Sequence, residues 1–232
     1  MDYFGAFGYL FRGPRWGITL LAGSASMFVP IVGPIVFLGF LCECFDLFIK
    51  HPTAPPAEFD FGRIGEYLAR GAWPFLASLL AGLVMILAAG IGTLPLLALP
   101  LFQLEAPWAL LPIALTAVAW VAMTLVMVHA MPPITLASAR CRALGPAFDA
   151  AFLRDFADRV GPEILLSNLV LLVAAPPLTV VGYACCLVGL YPAMTLLLVV
   201  QWHLMMQLYH LYLRRGGAAV GAKPGGVPDD WT

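Results

Sequence analysis

The distribution of charge constrains this chain before anything else does. Between Gly71 and Ala139 the only formally charged side chain is Glu105, and between Ile164 and Leu213 there is none. A water-soluble fold cannot hide runs of that length, whereas a bilayer accepts them. The runs are continuous rather than alternating, which points to helices and away from a transmembrane barrel. Apolar types make up 62% of the residues and charged types 11%, against about half and about a quarter in soluble domains. The reading is all-α: a polytopic transmembrane helical bundle, held in membrane lipid.

Residues 1–16 read as an interfacial lead-in, with Tyr3, Phe4, Phe7, Tyr9 and Trp16 suited to the headgroup zone. This start is long and aromatic, unlike the short basic region of a signal peptide. Residues 17–213 read as a single membrane domain. Its first part, Ile18 to Phe48, is interrupted by "VPIVGP". Proline removes a backbone donor, and in hydrocarbon that loss must be repaired or avoided. This part is therefore either one kinked span or a re-entrant hairpin. Four further spans follow: Pro74 to about Leu94, Trp108 to Met131, Ile164 to about Val181, and Tyr191 to Leu213. The second covers about 36 Å of helix and is expected to end at "MPP". The third is interrupted by Pro176 and Pro177. From 214 to 232 the chain is rich in Gly and Pro and reads as a disordered tail.

None of the twelve basic residues lies in the connections 95–107 and 182–190. The positive-inside rule puts those two connections outside, and 50–70, 132–162 and the C-terminal tail in the cytoplasm. The expected location is the inner (cytoplasmic) membrane, multi-pass, with a cytoplasmic C-terminus. A hairpin at 18–48 would bring Arg12 and Arg15 inside as well.

Two segments break the apolar pattern in the same way: "FDFGRIGEYLAR" at 59–70 and "FDAAFLRDFADR" at 148–159. Phe61, Ile64 and Leu68 recur at helical spacing in the first. Phe148, Phe152 and Phe156 do so in the second. Each has an acid and an Arg four apart, Glu66–Arg70 and Asp155–Arg159, in the favourable order. Asp60 and Asp149 are N-cap candidates. Both segments fit amphipathic helices lying in the cytoplasmic interface. The match runs on through Ser78 and Ser167, so 59–80 and 148–169 read as an approximate internal repeat, equally open to the plainer explanation that any interfacial helix before a span looks similar.

These residues also carry a resemblance. A basic-aromatic start, "VPIVGPIVFLGF", a proline-rich loop, "EFDFGRIGEYLARGAWPFL" and a late Phe-rich amphipathic helix resemble an uncharacterised family of bacterial and archaeal integral membrane proteins, a domain of unknown function. The closing "QWHLMMQLYHLYLRRGG" is similar to the ends of its longer bacterial members. The resemblance covers most of residues 10–216. It implies a membrane protein and nothing catalytic.

The chain offers little chemistry. It shows no nucleophile–base set, no phosphate-cradling loop and no metalloprotease motif. A net charge of −1 gives no reason to expect nucleic acid. Cys42-Glu43-Cys44 could bind a soft metal but lacks a second ligand pair in a polar segment, so no metal and no cofactor are expected. Polar groups at membrane depth are functional candidates by default. His203, Gln207 and His210 follow i, i+4, i+7 in the last span, and with Asn168 of a neighbouring span they form a candidate polar stripe. His129 and His210 have the minimum arrangement for bis-histidine haem ligation. The leading expectation is a non-enzymatic scaffold, assembly or bilayer-shaping component, with lipid, its own copies or other membrane proteins as partners. A small transporter or channel using the stripe is the rival, and a haem-binding redox subunit a weaker third.

Overall fold

The computed structural model describes residues 1–102, 107–185 and 188–220. Glu105, Cys186 and Lys223 lie outside them. Among the described residues every regular element is helical. A short α1 (Tyr3–Gly8) leads to α2 (Trp16–Ser26) and α3 (Val32–Lys50). After a proline-rich loop come α4 (Ile64–Thr93), the one-turn α5 (Ala98–Leu101), α6 (Leu110–Cys141), α7 (Ala150–Ala184) and α8 (Leu190–Arg214). Five helical stretches are long and apolar enough to cross a membrane. The protein is a multi-pass membrane helical bundle.

The 18–48 unit is two helices that fold back on each other. Their turn, residues 27–31, ends at Ile31 with φ 68° and ψ −61°, and the Val32 amide donates to the Pro30 carbonyl at 2.8 Å. A methyl group on Gly33 would overlap the Ser26 carbonyl, and one on Gly23 would meet the Phe37 ring at 2.8 Å. A straight helix would hold Gly23 and Phe37 about 20 Å apart. At the other end, Arg15 Nε lies 3.4 Å from Glu58. Residues that precede α2 thus meet residues that follow α3. The hairpin, and not the kinked span, is the form this unit takes.

Helix α3 packs along the first half of α4, antiparallel. Contact between the two backbones is made possible by glycine: a Cβ on Gly39 would overlap the Tyr67 carbonyl, and one on Gly71 the Ile35 carbonyl. Small residues at such crossings let dispersion and weak polar contacts replace the missing hydrophobic drive between helices in lipid.

Several boundaries differ from expectation. The segments 59–70 and 148–159 are not separate helices lying flat; after a short 3₁₀ turn each runs straight into a long helix, α4 or α7. Gly71 and Gly161, just ahead of Pro74 and Pro162, are packing positions, against α3 and against the His129 ring. Pro74 and Pro162 stay inside their helices. Likewise α6 continues through Pro132 and Pro133 to Cys141, and α7 through Pro176 and Pro177. Neighbouring helices hold such helices together where lone propensity would not. The tail is ordered at its start: the Val220 amide donates to the Tyr209 hydroxyl at 3.1 Å. Residues 214–220 therefore correct the disordered reading, and 221–232 lie outside the described residues. Of the lead-in aromatics, Phe4 is exposed and Tyr9 is buried.

Burial is uneven. In α3 and α8, 56% of the apolar stretch is buried, against 11% in α4, α6 and α7. Most of the core lies where α4 and α7 begin and α6 and α8 finish, around Phe37, Tyr67, Leu136, Phe156 and Trp202. The far ends of α4, α6 and α7 present leucine, isoleucine and valine outward, the arrangement lipid accepts.

Candidate functional site

The last helix carries the polar groups that drew attention in the sequence, and the structure divides them between two places. His203 sits between two rings. Tyr9 stacks on it at 4.0 Å, and Phe48 meets it edge-on at 5.3 Å. Its Nδ1 is buried without a hydrogen-bond partner among the described residues. One turn on, the Gln207 amide holds the backbone of Asp2 from both sides. Asp2 N–H donates to Oε1 at 2.7 Å, and Nε2 donates to the Asp2 carbonyl at 3.1 Å. The Asp2 carboxylate in turn caps α1, accepting from Gly5 N–H at 2.7 Å. His210 approaches Phe48 at 6.4 Å. His203 and Gln207 thus form a dock for the N-terminal segment, with Ala6 packed on Val200 and Leu204, while His210 faces α3.

Asn168 is not part of that dock. It faces a cavity of about 310 Å³ between α6, α7 and α8, closed by Leu38 of α3 and Ser78 of α4. The glutamine that joins it there is Gln201, offset from the stripe in sequence. The structure thus separates Asn168 from the stripe with which the sequence grouped it. The signal for Gln201 was present, because it lies about 200° around the helix from His203 at ~100° per residue. The two serines at equivalent places in the approximate repeat, Ser78 and Ser167, both line this cavity.

Ion pairs tie the helices together at the core end. Asp46 of α3 pairs with Arg70 of α4 and lies 3.6 Å from Arg140 of α6. Glu43 holds Arg63 at 2.7 Å, and Arg63 also reaches Glu66 at 2.8 Å. The expected Glu66–Arg70 pair is therefore not the one formed, because α3 supplies better-placed carboxylates to both arginines. The Asp155–Arg159 pair does form, at 2.8 Å. Asp155 also accepts from the Tyr212 hydroxyl at 2.8 Å. Arg215 closes this second network on Glu163 at 2.5 Å, and that carboxylate raises its pKa. Glu43 thus serves as an ion-pair partner, while Cys42 and Cys44 beside it are buried. No metal-binding group of three such side chains occurs among the described residues. His129 bonds the Leu125 carbonyl at 2.8 Å and touches Gly161, whereas His210 neighbours Phe48.

The two stripes assigned to the membrane interface point differently. Phe61, Ile64 and Leu68 are exposed, and the inward residue of that segment is Tyr67. In the second segment Phe156 is fully buried, Phe152 half-buried and Phe148 exposed. Asp60 and Asp149 do cap, accepting from Gly62 at 2.8 Å and Ala151 at 3.0 Å.

Residues 22–188 match the model of a family described as "Protein of unknown function (DUF4013)". No curated protein and no solved structure matches the chain.

Proposed function

The chain belongs to this family of unknown function, and from that premise we propose that it is a non-enzymatic membrane scaffold, an assembly or bilayer-shaping component of the inner membrane. The observation that carries the reading is the closed hairpin, whose two ends meet at Arg15 and Glu58. Entry and exit on one face make it re-entrant. At 19 residues α3 is long enough to cross, so the shared face of the hairpin's two ends, and not the length of α3, supports the re-entrant reading. The basic residues support a cytoplasmic entry and a cytoplasmic C-terminus.

A scaffold of this form has its bulk at one end. There α3, α1 and four long helices share most of the core, and at the other end α4, α6 and α7 stand with apolar sides outward. Unequal cross-section across a bilayer favours curvature and gives neighbouring proteins, or further copies of this chain, an apolar flank to pack on. The transport reading has less to draw on, since two members of the stripe, His203 and Gln207, are covered by the chain's own N-terminal segment.

The test is the side from which Val32 can be reached. A single cysteine is placed there in an otherwise cysteine-free chain, and intact cells are treated with a membrane-impermeant maleimide. A cysteine at Ala106, in the opposite connection, is the positive control. Protection from outside with labelling in inverted vesicles is expected. Labelling from outside would make the unit a full crossing and end the re-entrant reading.

A further inference from the structure

The cavity between α6, α7 and α8 has the make-up of a binding site. Its walls are apolar and adaptable, with Met127, Met131 and Met205 among them; methionine's flexible thioether fits varied shapes. No charged side chain and no histidine lines it. An ion or a charged headgroup would find no counter-charge there, and the cost of an unpaired charge in such surroundings is large.

Yet polar groups do converge in it. Thr135 and Ser167 spend their hydroxyl protons on the Met131 and Glu163 carbonyls, at 2.8 and 2.7 Å, and keep lone pairs free. Asn168 gives one amide proton to the Ile164 carbonyl at 2.9 Å, which leaves its oxygen and a second N–H. Gln201, exposed and lining the same cavity, forms no hydrogen bond with the described residues, and neither does the Ser78 hydroxyl. An unpartnered amide such as that of Gln201, in a span free of charge, is costly to leave without a ligand. Donors and acceptors are both on offer, so the matching group is neutral and can give and take a hydrogen bond. An apolar body must follow it along the methionines, and the apolar flanks of α6 and α7 make the bilayer its source.

We propose that this cavity binds a neutral, hydroxyl-bearing lipid drawn from the membrane, a long-chain alcohol or diacylglycerol type of molecule, with its hydroxyl between Asn168 and Gln201. This stands apart from the scaffold reading, and either can fail alone. The probes are a diazirine-bearing hexadecanol and the matching diazirine-bearing palmitic acid, added to the full chain in nanodiscs and photolysed. Mass spectrometry should place the alcohol's adducts on peptides holding Met131 and Met205, with the acid labelling them far less. Gln201→Leu should lower those alcohol adducts about fivefold, the worth of one neutral hydrogen bond, and leave adducts near outward-facing Leu83 and Leu172 unchanged. Ser167→Phe, which fills the space, should abolish them; Ser167 is buried, so the exposed Gln201 position supplies the variant that spares the fold. Equal labelling by the acid, or adducts at Met131 and Met205 indifferent to Gln201→Leu, would overturn the proposal.

Discussion

At Gly71 a single methyl group decides whether two helices can touch. A side chain there would enter the Ile35 carbonyl, which is backbone and cannot turn aside. Gly71→Val should therefore cost more than about 3 kcal/mol, beyond ordinary overpacking, read as loss of folded protein in a thermal melt in detergent. Gly82→Ala is the control. Nothing lies within 4 Å of its Cβ position, so that change should be neutral or stabilise by up to about 1 kcal/mol. Ile31 gives the opposite case. A β-branched residue at φ 68° is strained by about 1–2 kcal/mol, and Ile31→Gly relieves this while adding freedom to the unfolded chain. The net expectation is a stabilisation of about 0.5–1 kcal/mol in the same melt, and a fall in stability would show that the turn is not held as described.

Helices come together here through their polar ends. The N-terminal segment rests on α8 through two hydrogen bonds from one amide, Gln207 to Asp2. Gln207→Leu should release α1 locally, at a cost of about 1–2 kcal/mol. Amide hydrogen exchange in residues 3–8 should then quicken about tenfold while α8 itself stays protected. Asp46 does the corresponding work for α3, α4 and α6. Its carboxylate is about one-third exposed, so solvent screens the pairs and Asp46→Asn is expected to cost only about 1 kcal/mol. Disulfide trapping between α3 and α4 would report the loosening, as a lower yield than in the parent chain.

For the molecule as a whole, the uneven core makes a prediction about shape. If the end holding the hairpin is the broader one, reconstitution should narrow the vesicles as protein is added. Dynamic light scattering of liposomes at rising protein-to-lipid ratio would show the diameter falling. An unchanged diameter would leave assembly, and not curvature, as the scaffold's work. The same unevenness explains which expectations were legible beforehand. Composition and charge-free runs marked the spans well, because lipid imposes one simple demand on every residue it touches. The hairpin was half legible: Pro30, Gly33 and Pro34 marked a break, but a break alone does not say whether the chain turns back.

The sequence by itself determined the solvent, the helical class, the four spans after residue 70, the caps at Asp60 and Asp149 and the family resemblance, since each follows from local chemistry or from a count of charges. Only the tertiary structure decided that the segments at 59–70 and 148–159 continue into α4 and α7, because whether a helix runs on through Pro74 and Pro162 depends on what packs beside it, α3 at Gly71 and His129 at Gly161. It decided that Arg70 answers Asp46 rather than Glu66, since a carboxylate from another helix lies outside any i, i+4 rule. It also separated Gln207, spent on Asp2, from Gln201, which lines the cavity beside Asn168. Two glutamines six positions apart in one helix face different neighbours, and the identity of a neighbour is information that a single chain's periodicity does not carry.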